Sequence, residues 1–355
     1  MKLLPALTAV LWTWVLAPGA SAKVPPQFMG VNWDSAISRA PAAVQTAQFP
    51  RMASAHVQTL RTAFLWSTGQ PEENGPVLVS ATDAIVGAAA ARHIEVFPHI
   101  ITAPDWARSR AAPMAPPSDP HLFESYVGTL VARYGPNGRF WDEHPELPKV
   151  PIRYWQFWNE PHLPFQWDLP RKRQKYWPKT YVAQLKVFYA AVHKQDPTAK
   201  VVLAGLANRS WRYLGALYRA GARGNFDVAA IHPYTTKPSG VVRLLDKFRK
   251  VMRAHHDGRK PVWVTELGLP AAKGRAHSKN TLQTTPHGMA RYLTASYEKL
   301  RKLVPRVYWY TWASEYRGDI FRFAGLFRYR GGTKQPVAQP AYRAYVKIAR
   351  KLEGK

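Results

Sequence analysis

Eight short apolar runs recur along the chain, and a stretch with helical character follows each of them. The runs cover residues 27–33, 57–65, 94–101, 151–159, 200–206, 226–232, 261–267 and 306–312. They are rich in β-branched and aromatic residues and are bounded by Gly, Pro or Asp, as strands are. The intervening stretches fall at 40–54, 80–91, 120–134, 180–193, 211–222, 240–256, 287–303 and 339–352. In the third of these Leu122, Tyr126, Leu130 and Val131 are spaced for one helix face, and in the fourth Val182, Leu185, Phe188, Tyr189 and Val192 are. Eight strand–helix units in strict alternation predict an α/β chain folded as a single (β/α)8 TIM barrel. The rival is an open doubly wound sheet, which favours a glycine-rich phosphate turn after its first strand. The segment GVNWDS is not such a turn. Four connections are long, at 102–119, 160–178, 268–285 and 313–337, and all follow predicted strands. In a barrel they gather at the C-terminal face, where active sites are built.

The first residues stand apart. Lys2 precedes an apolar stretch from Leu3 to Leu16, then Pro18-Gly19 and Ala20-Ser21-Ala22. This is the pattern of a secretory signal peptide over residues 1–22, with the mature chain starting near Lys23, exported to the extracellular space or periplasm. An uncleaved anchor is the alternative, though the run is short for a membrane span. No span is expected in the mature chain, and 23–355 is read as one catalytic domain and as a monomer. There is no cysteine, which excludes thiol catalysis and thiolate metal sites. The formal net charge is +28, from 50 basic and 22 acidic residues, so polyanions are the natural partners. The basic residues read as dispersed, with one concentration at 171–175 (RKRQK). No dedicated nucleic-acid module is recognisable. No His/Asp/Glu spacing suits a metal, so neither metal nor cofactor is expected.

Two acids close predicted strands. Glu160 ends YWQFWNEPH and Glu266 ends VWVTEL, 106 residues later. Strand ends of a barrel converge on one rim, so the two carboxyls could face each other across a cleft. Glycoside hydrolysis needs such a pair: one acid protonates the leaving oxygen, while the other attacks the anomeric carbon or activates water. Asn159 beside Glu160 could bind a sugar hydroxyl. Aromatic residues gather at other strand ends, at Trp33, Trp66, Trp106, Tyr234, Trp309 and Trp312. Aromatic faces stack on sugar C–H faces, and they also fill cores.

With these motifs the sequence resembles glycoside hydrolase clan A, retaining enzymes whose catalytic glutamates follow strands four and seven. The resemblance spans about residues 27–350. It implies that Glu160 is the acid/base and Glu266 the nucleophile. It implies a strand-two arginine at Arg61 bonded to the nucleophile, with His232 and Tyr234 of AAIHPYT beside it. It implies Trp312 under the sugar at the cleavage point. GVNWD, with Asn32, and APDWA, with Trp106, lean toward family 39, with family 5 as neighbour. The expected function is a secreted retaining glycosidase acting on a poly- or oligosaccharide, an acidic polysaccharide among the candidates. A non-catalytic carbohydrate- or wall-binding protein on the same scaffold is the alternative.

Overall fold

The computed structural model describes residues 23–276 and 278–355. The expected signal peptide lies outside them. Nine parallel segments form one curled sheet: β1 (Met29–Trp33), β2 (Thr59–Leu65), β3 (Glu95–Ile101), β4 (Tyr154–Phe157), β5 (Lys200–Val202), β6 (Leu206–Ala207), β7 (Ala229–His232), β8 (Val262–Leu267) and β9 (Val307–Trp309). Their order is β5-β4-β3-β2-β1-β9-β8-β7-β6. Eight strands were expected and nine are found, because the fifth is interrupted. Its halves sit at opposite ends of the order: β5 pairs with β4, and β6 pairs with β7. Only residues 203–205 separate them, and Val202 also bridges Val228 ahead of β7.

Helices cover the outside. The one at Pro238–Ala254 buries Val241, Leu245, Phe248 and Met252, a stripe at three- and four-residue spacing. The long helices run at Trp177–Gln195, Pro286–Leu300 and Pro340–Glu353, within a few residues of expectation. The predicted helix at 40–54 is instead two short ones, Ala42–Thr46 and Gln48–Ser54. Strands covered on both faces read as continuous apolar runs rather than alternating ones, and β1 and β8 are buried along their whole length.

The interior is filled in layers. At the strand starts Phe97, Trp263 and Tyr308 pack together, with ring centroids 5.3 Å apart for Phe97–Trp263 and 5.4 Å for Phe97–Tyr308. Arg306 lies over the rings of Tyr154 and Trp263 and pairs with Glu95. All three rings of this aromatic floor are buried. A polar layer built on Arg61 lies above it, and the two strand-end glutamates lie above that. After β9, a small sheet of β10 (Ala313–Ser314), β11 (Phe327–Arg328) and β12 (Val337–Ala338) packs on the start of the last helix through Phe327 and Tyr342.

Gly205 explains part of the break in the fifth strand. A Cβ there would lie 1.9 Å from Nε2 of His232. His232 is fully buried and bonded at both ring nitrogens, so it has no room to retreat. Gly205→Ala is expected to destabilise the fold by about 1–3 kcal/mol, the usual cost of overpacking a filled core. Denaturant unfolding measures this, and an unchanged midpoint would show that His232 moves freely.

Candidate functional site

Arg61, on β2, points into the interior and is 2% exposed. Every edge of its guanidinium is used. Nε donates to Gln156 Oε1 on β4 at 2.8 Å. Nη1 donates to Asn32 Oδ1 on β1 and to Glu266 Oε1 on β8, each at 2.8 Å. Nη2 donates to Asn159 Oδ1 at 2.8 Å. The partners are themselves held. The Asn32 amide nitrogen donates to the carbonyls of Thr265 at 3.1 Å and Trp309 at 3.4 Å, and Gln156 Nε2 donates to Leu203 O at 2.8 Å. Asn32 thus spends its donors on the scaffold, and its work is to hold Arg61. Asn159 spends only its oxygen on Arg61, which leaves its amide nitrogen at the cleft wall.

Glu266 is anchored at both oxygens. Arg61 takes Oε1, and the Tyr234 hydroxyl donates to Oε2 at 2.8 Å. Glu160 rests on His232, whose Nδ1 lies 2.8 Å from Glu160 Oε1 and 3.4 Å from Glu266 Oε2. Nε2 of His232 lies 3.0 Å from Thr265 Oγ1. One oxygen of Glu160 and one of Glu266 lie within 4.8 Å of each other. The chain reaches this geometry through a kink after β4. Trp158 has φ 63° and Glu160 φ 41°, both left-handed and costly for side-chain-bearing residues. Main-chain bonds hold the kink: Trp158 N donates to Ile100 O and Leu163 N to Glu160 O, each at 2.9 Å.

The electrostatics separate the two acids. Burial pushes the Glu160 carboxyl up to about 7, against the pull of the Arg61 charge. Burial also raises Glu266 and the Glu160 charge adds to this, while His232, the Arg61 charge and the Tyr234 hydrogen bond oppose it; the net direction is up. Burial pushes His232 down to about 4, so its ring is neutral near pH 7. With the proton on Nδ1, the ring donates to Glu160 and accepts from Thr265; the other tautomer reverses both bonds. Glu160, His232 and Glu266 also bring three potential ligand atoms together, a cluster that spacing along the chain did not reveal. Those atoms are already linked by the hydrogen bonds above, and Arg61 supplies the positive charge that a cation would bring.

The cleft has two lobes of about 530 and 630 Å³, which share Asp34, Asn159, Gln166 and Glu266. Trp33, Arg61 and His99 line the first lobe; Glu160, Phe165, Tyr234 and Tyr310 line the second. Two expected sugar contacts lie elsewhere. Trp312 is fully buried, packs on Phe327 at 4.8 Å and donates to Gln48 Oε1 at 3.3 Å, away from the cleft. The reason is that β9 stops at Trp309, short of the predicted 312, so Tyr310 takes the cleft wall. Trp106 packs edge-on against Trp66 at 5.5 Å and donates to Gln70 O at 3.2 Å, in support of the wall rather than on it. Gln156 was missed as a site residue, although a glutamine among four aromatics on one strand was a visible signal. Tyr310 and Asp34, joined by a 2.7 Å hydrogen bond, carried none.

Residues 136–340 match the model of a family described as "Glycosyl hydrolase catalytic core". No curated protein sequence matches the chain. Solved structures share the fold. A family 39 glycoside hydrolase from Bacteroides cellulosilyticus superposes with a TM-score of 0.70 at 20% identity, over 93% of this chain and 64% of that one. A monomeric beta-xylosidase from Caulobacter crescentus gives 0.68 at 15% identity, over 93% and 69%. GH5_18 from Streptomyces cattleya, solved with GlcNAc, gives 0.69 at 17% identity, over 94% and 82%. The chain thus spans less than two thirds of the first of these.

The raised pKa of Glu160 has a consequence for stability. A carboxyl raised from 4.5 to about 7 on folding favours the fold while protonated, and that contribution is lost as pH rises through about 7. At pH 8–9 the buried charge therefore costs about 3 kcal/mol, at 1.36 kcal/mol per pKa unit. Glu160→Gln is expected to raise the melting temperature at pH 8–9 and to leave it nearly unchanged at pH 4. Thermal unfolding across pH checks this; an equal effect at both values would contradict the titration.

Proposed function

Because the chain belongs to the glycosyl hydrolase catalytic core family, and its resemblance to clan A holds against its solved neighbours, we propose that it is a secreted retaining glycoside hydrolase acting on a poly- or oligosaccharide. The observation that carries this reading is the pair of carboxylates, Glu160 and Glu266, with oxygens within 4.8 Å in one cleft. Retaining enzymes hold their carboxyls about 5–5.5 Å apart, whereas inverting enzymes leave about 6.5–9.5 Å for a water between them. We take the sheet as one (β/α)8 barrel, with β5 and β6 as a single interrupted strand. Residues 1–22 would direct export, and the domain from residue 23 would act as a monomer. The charge of the mature chain points to an acidic glycan.

The steps follow from the contacts. Glu266, kept as an anion by Arg61 and Tyr234, attacks the anomeric carbon. The bond from that carbon to the leaving oxygen breaks, and the oxygen takes the Glu160 proton. Glu160, now a base, removes a proton from water. The water oxygen bonds to the anomeric carbon, and the ester bond to Glu266 breaks. Esterification removes the Glu266 charge, which lowers the proton affinity of Glu160 for the second half. His232 stays neutral and positions Glu160.

A 2-fluoroglycoside inactivator is expected to label Glu266 in peptide mass mapping. Glu160→Ala is expected to lower kcat/KM about 10²–10⁴-fold on sugar leaving groups. It should do far less on a dinitrophenyl glycoside, which needs no proton. The alkaline limb of kcat/KM is expected near pH 7, where free Glu160 loses its proton, and should vanish for the dinitrophenyl substrate. Label on another residue, or a product of inverted configuration, would overturn the assignment.

The loop after β4 supports an acidic substrate. Phe165, 67% exposed, lines the cleft, and Arg171, Lys172 and Arg173 stand exposed in the short helix that follows. Replacing all three by Ala is expected to raise KM several-fold for acidic oligosaccharides and to leave neutral ones unchanged. Equal losses on both would remove the electrostatic part.

A further inference from the structure

The charge excess is not evenly spread. Residues 209–355 hold 30 of the 50 basic residues but only 8 of the 22 acidic ones, a local net of +22. This corrects the dispersed reading of the sequence. In the fold this part supplies the helices at Ser210–Arg219, Pro238–Ala254, Pro286–Leu300 and Pro340–Glu353, each packed on the next around one side of the sheet. These four helices carry 13 of the basic residues and 3 of the acidic ones, a net of +10, so a large part of the excess becomes one positive flank.

That flank carries a groove. It runs along the last helix, beside the end of Gln48–Ser54, and has a volume of about 830 Å³. Arg343, Lys347, Arg350, Lys351 and Lys355 line it, and no acid does; Tyr342 and Val346 are its apolar lining. Three of these cations are already engaged: Lys351 pairs with Glu298, Lys355 with Glu353 at 3.0 Å, and Arg350 donates to His56 at 3.3 Å. Arg343 and Lys347 are exposed and form no ion pair among the described residues. They lie four residues apart, on one face of the helix.

The foot of the groove lies at the opposite end of the sheet from the two glutamates. The helix end is tied to segments that precede strands: Val24 N donates to Leu352 O at 3.2 Å, and Gln58 Nε2 donates to Glu353 Oε1 at 3.0 Å. Glu160 and Glu266 stand at strand ends. A ligand in this groove is not in the cleft.

We infer that this groove is a second, non-catalytic docking site for an acidic polysaccharide, which holds the protein on a polymer while the cleft stays open. Unpaired cations select the anionic groups of such a chain, and Tyr342 offers a ring to its sugar faces. An extended polymer also suits a groove open along one helix. An anionic membrane is a poorer match. Of the large apolar residues exposed among those described, Leu65, Leu78 and Phe165 line the cleft and Tyr176 lies in the loop after β4. Only Val337 lies near the start of the last helix, too little to insert into lipid.

Affinity electrophoresis of the full chain through gels of sodium polygalacturonate, with neutral dextran as control, tests the proposal. Retention is expected in the polygalacturonate gel at 50 mM salt, weakened at 200 mM. The R343E/K347E variant is expected to lose about tenfold in affinity. The K186E/K194E variant changes net charge equally on the helix at Trp177–Gln195, where neither residue lines the groove or the cleft, and should lose much less. Thermal unfolding of R343E/K347E checks its fold, and R343Q/K347Q gives the same comparison with a milder change. Equal losses from the two charge reversals would overturn the site and leave a general charge effect. No retention of the native chain would overturn it too. Tighter binding to poly(U) or to phosphatidylserine vesicles, lost in R343E/K347E, would overturn the polysaccharide as its occupant. None of these readouts requires turnover, so they stand apart from the fate of the cleft mechanism.

Discussion

A single buried guanidinium organises this molecule. Arg61 reaches across the interior and joins β1, β2, β4 and β8 through four partner oxygens, those of Asn32, Gln156, Asn159 and Glu266. An arginine there is costly to dehydrate, and the cost is tolerable only because every donor edge is used. The arrangement is mutually dependent. Asn32, Gln156 and Asn159 would each lose an oxygen partner without Arg61, and Glu266 would be a buried anion with only Tyr234 and the His232 ring beside it. The rest of the cleft inherits its geometry from this node, because Asn159 and Glu160 are consecutive residues on the kink that Arg61 grips.

The aromatic floor gives the node its strength. Phe97, Trp263 and Tyr308 lie buried below it, and Arg61, Asn32 and Gln156 of the polar layer are themselves buried. Electrostatic interactions are stronger in such surroundings, and ionisation is harder. The same burial acts on both carboxyls, and their neighbours make the difference. Glu266 has a cation and a phenol at its oxygens; Glu160 has a neutral imidazole. Two residues of one type thus sit in different electrostatic surroundings, a recurring pattern in acid–base sites.

Much of this was legible in the sequence, and the failures are instructive. Strand positions were readable because each strand is buried on both faces and so appears as a dense apolar run. The two acids were readable because each breaks such a run at its end. Trp312 was misplaced because side-chain direction depends on where regular pairing stops, and β9 stops at Trp309. The tryptophan then fell under the small sheet, while Tyr310 reached the cleft. The interruption of the fifth strand was hidden as well: KVVLAGL reads as one run, and only the bulk of His232, 27 residues beyond Gly205, shows why the chain must bend there. Charge along the sequence was likewise misread as even. A count over residues 209–355 reveals its concentration, and the fold adds that the helices of that part lie side by side.

The break at residues 203–205 does more than make room. A carbonyl inside a regular ladder is consumed by the neighbouring strand. Released from the ladder, Leu203 O accepts from Gln156, and Ala204 N donates to the Tyr181 hydroxyl at 3.0 Å. Gln156 is the side chain that steadies the Nε edge of Arg61. The irregularity is therefore an anchor point, and a redesign that straightened this strand into perfect pairing would take away the acceptor on which that steadying relies. Tidier architecture would yield a poorer cleft, a trade of stability against activity written into three residues of main chain.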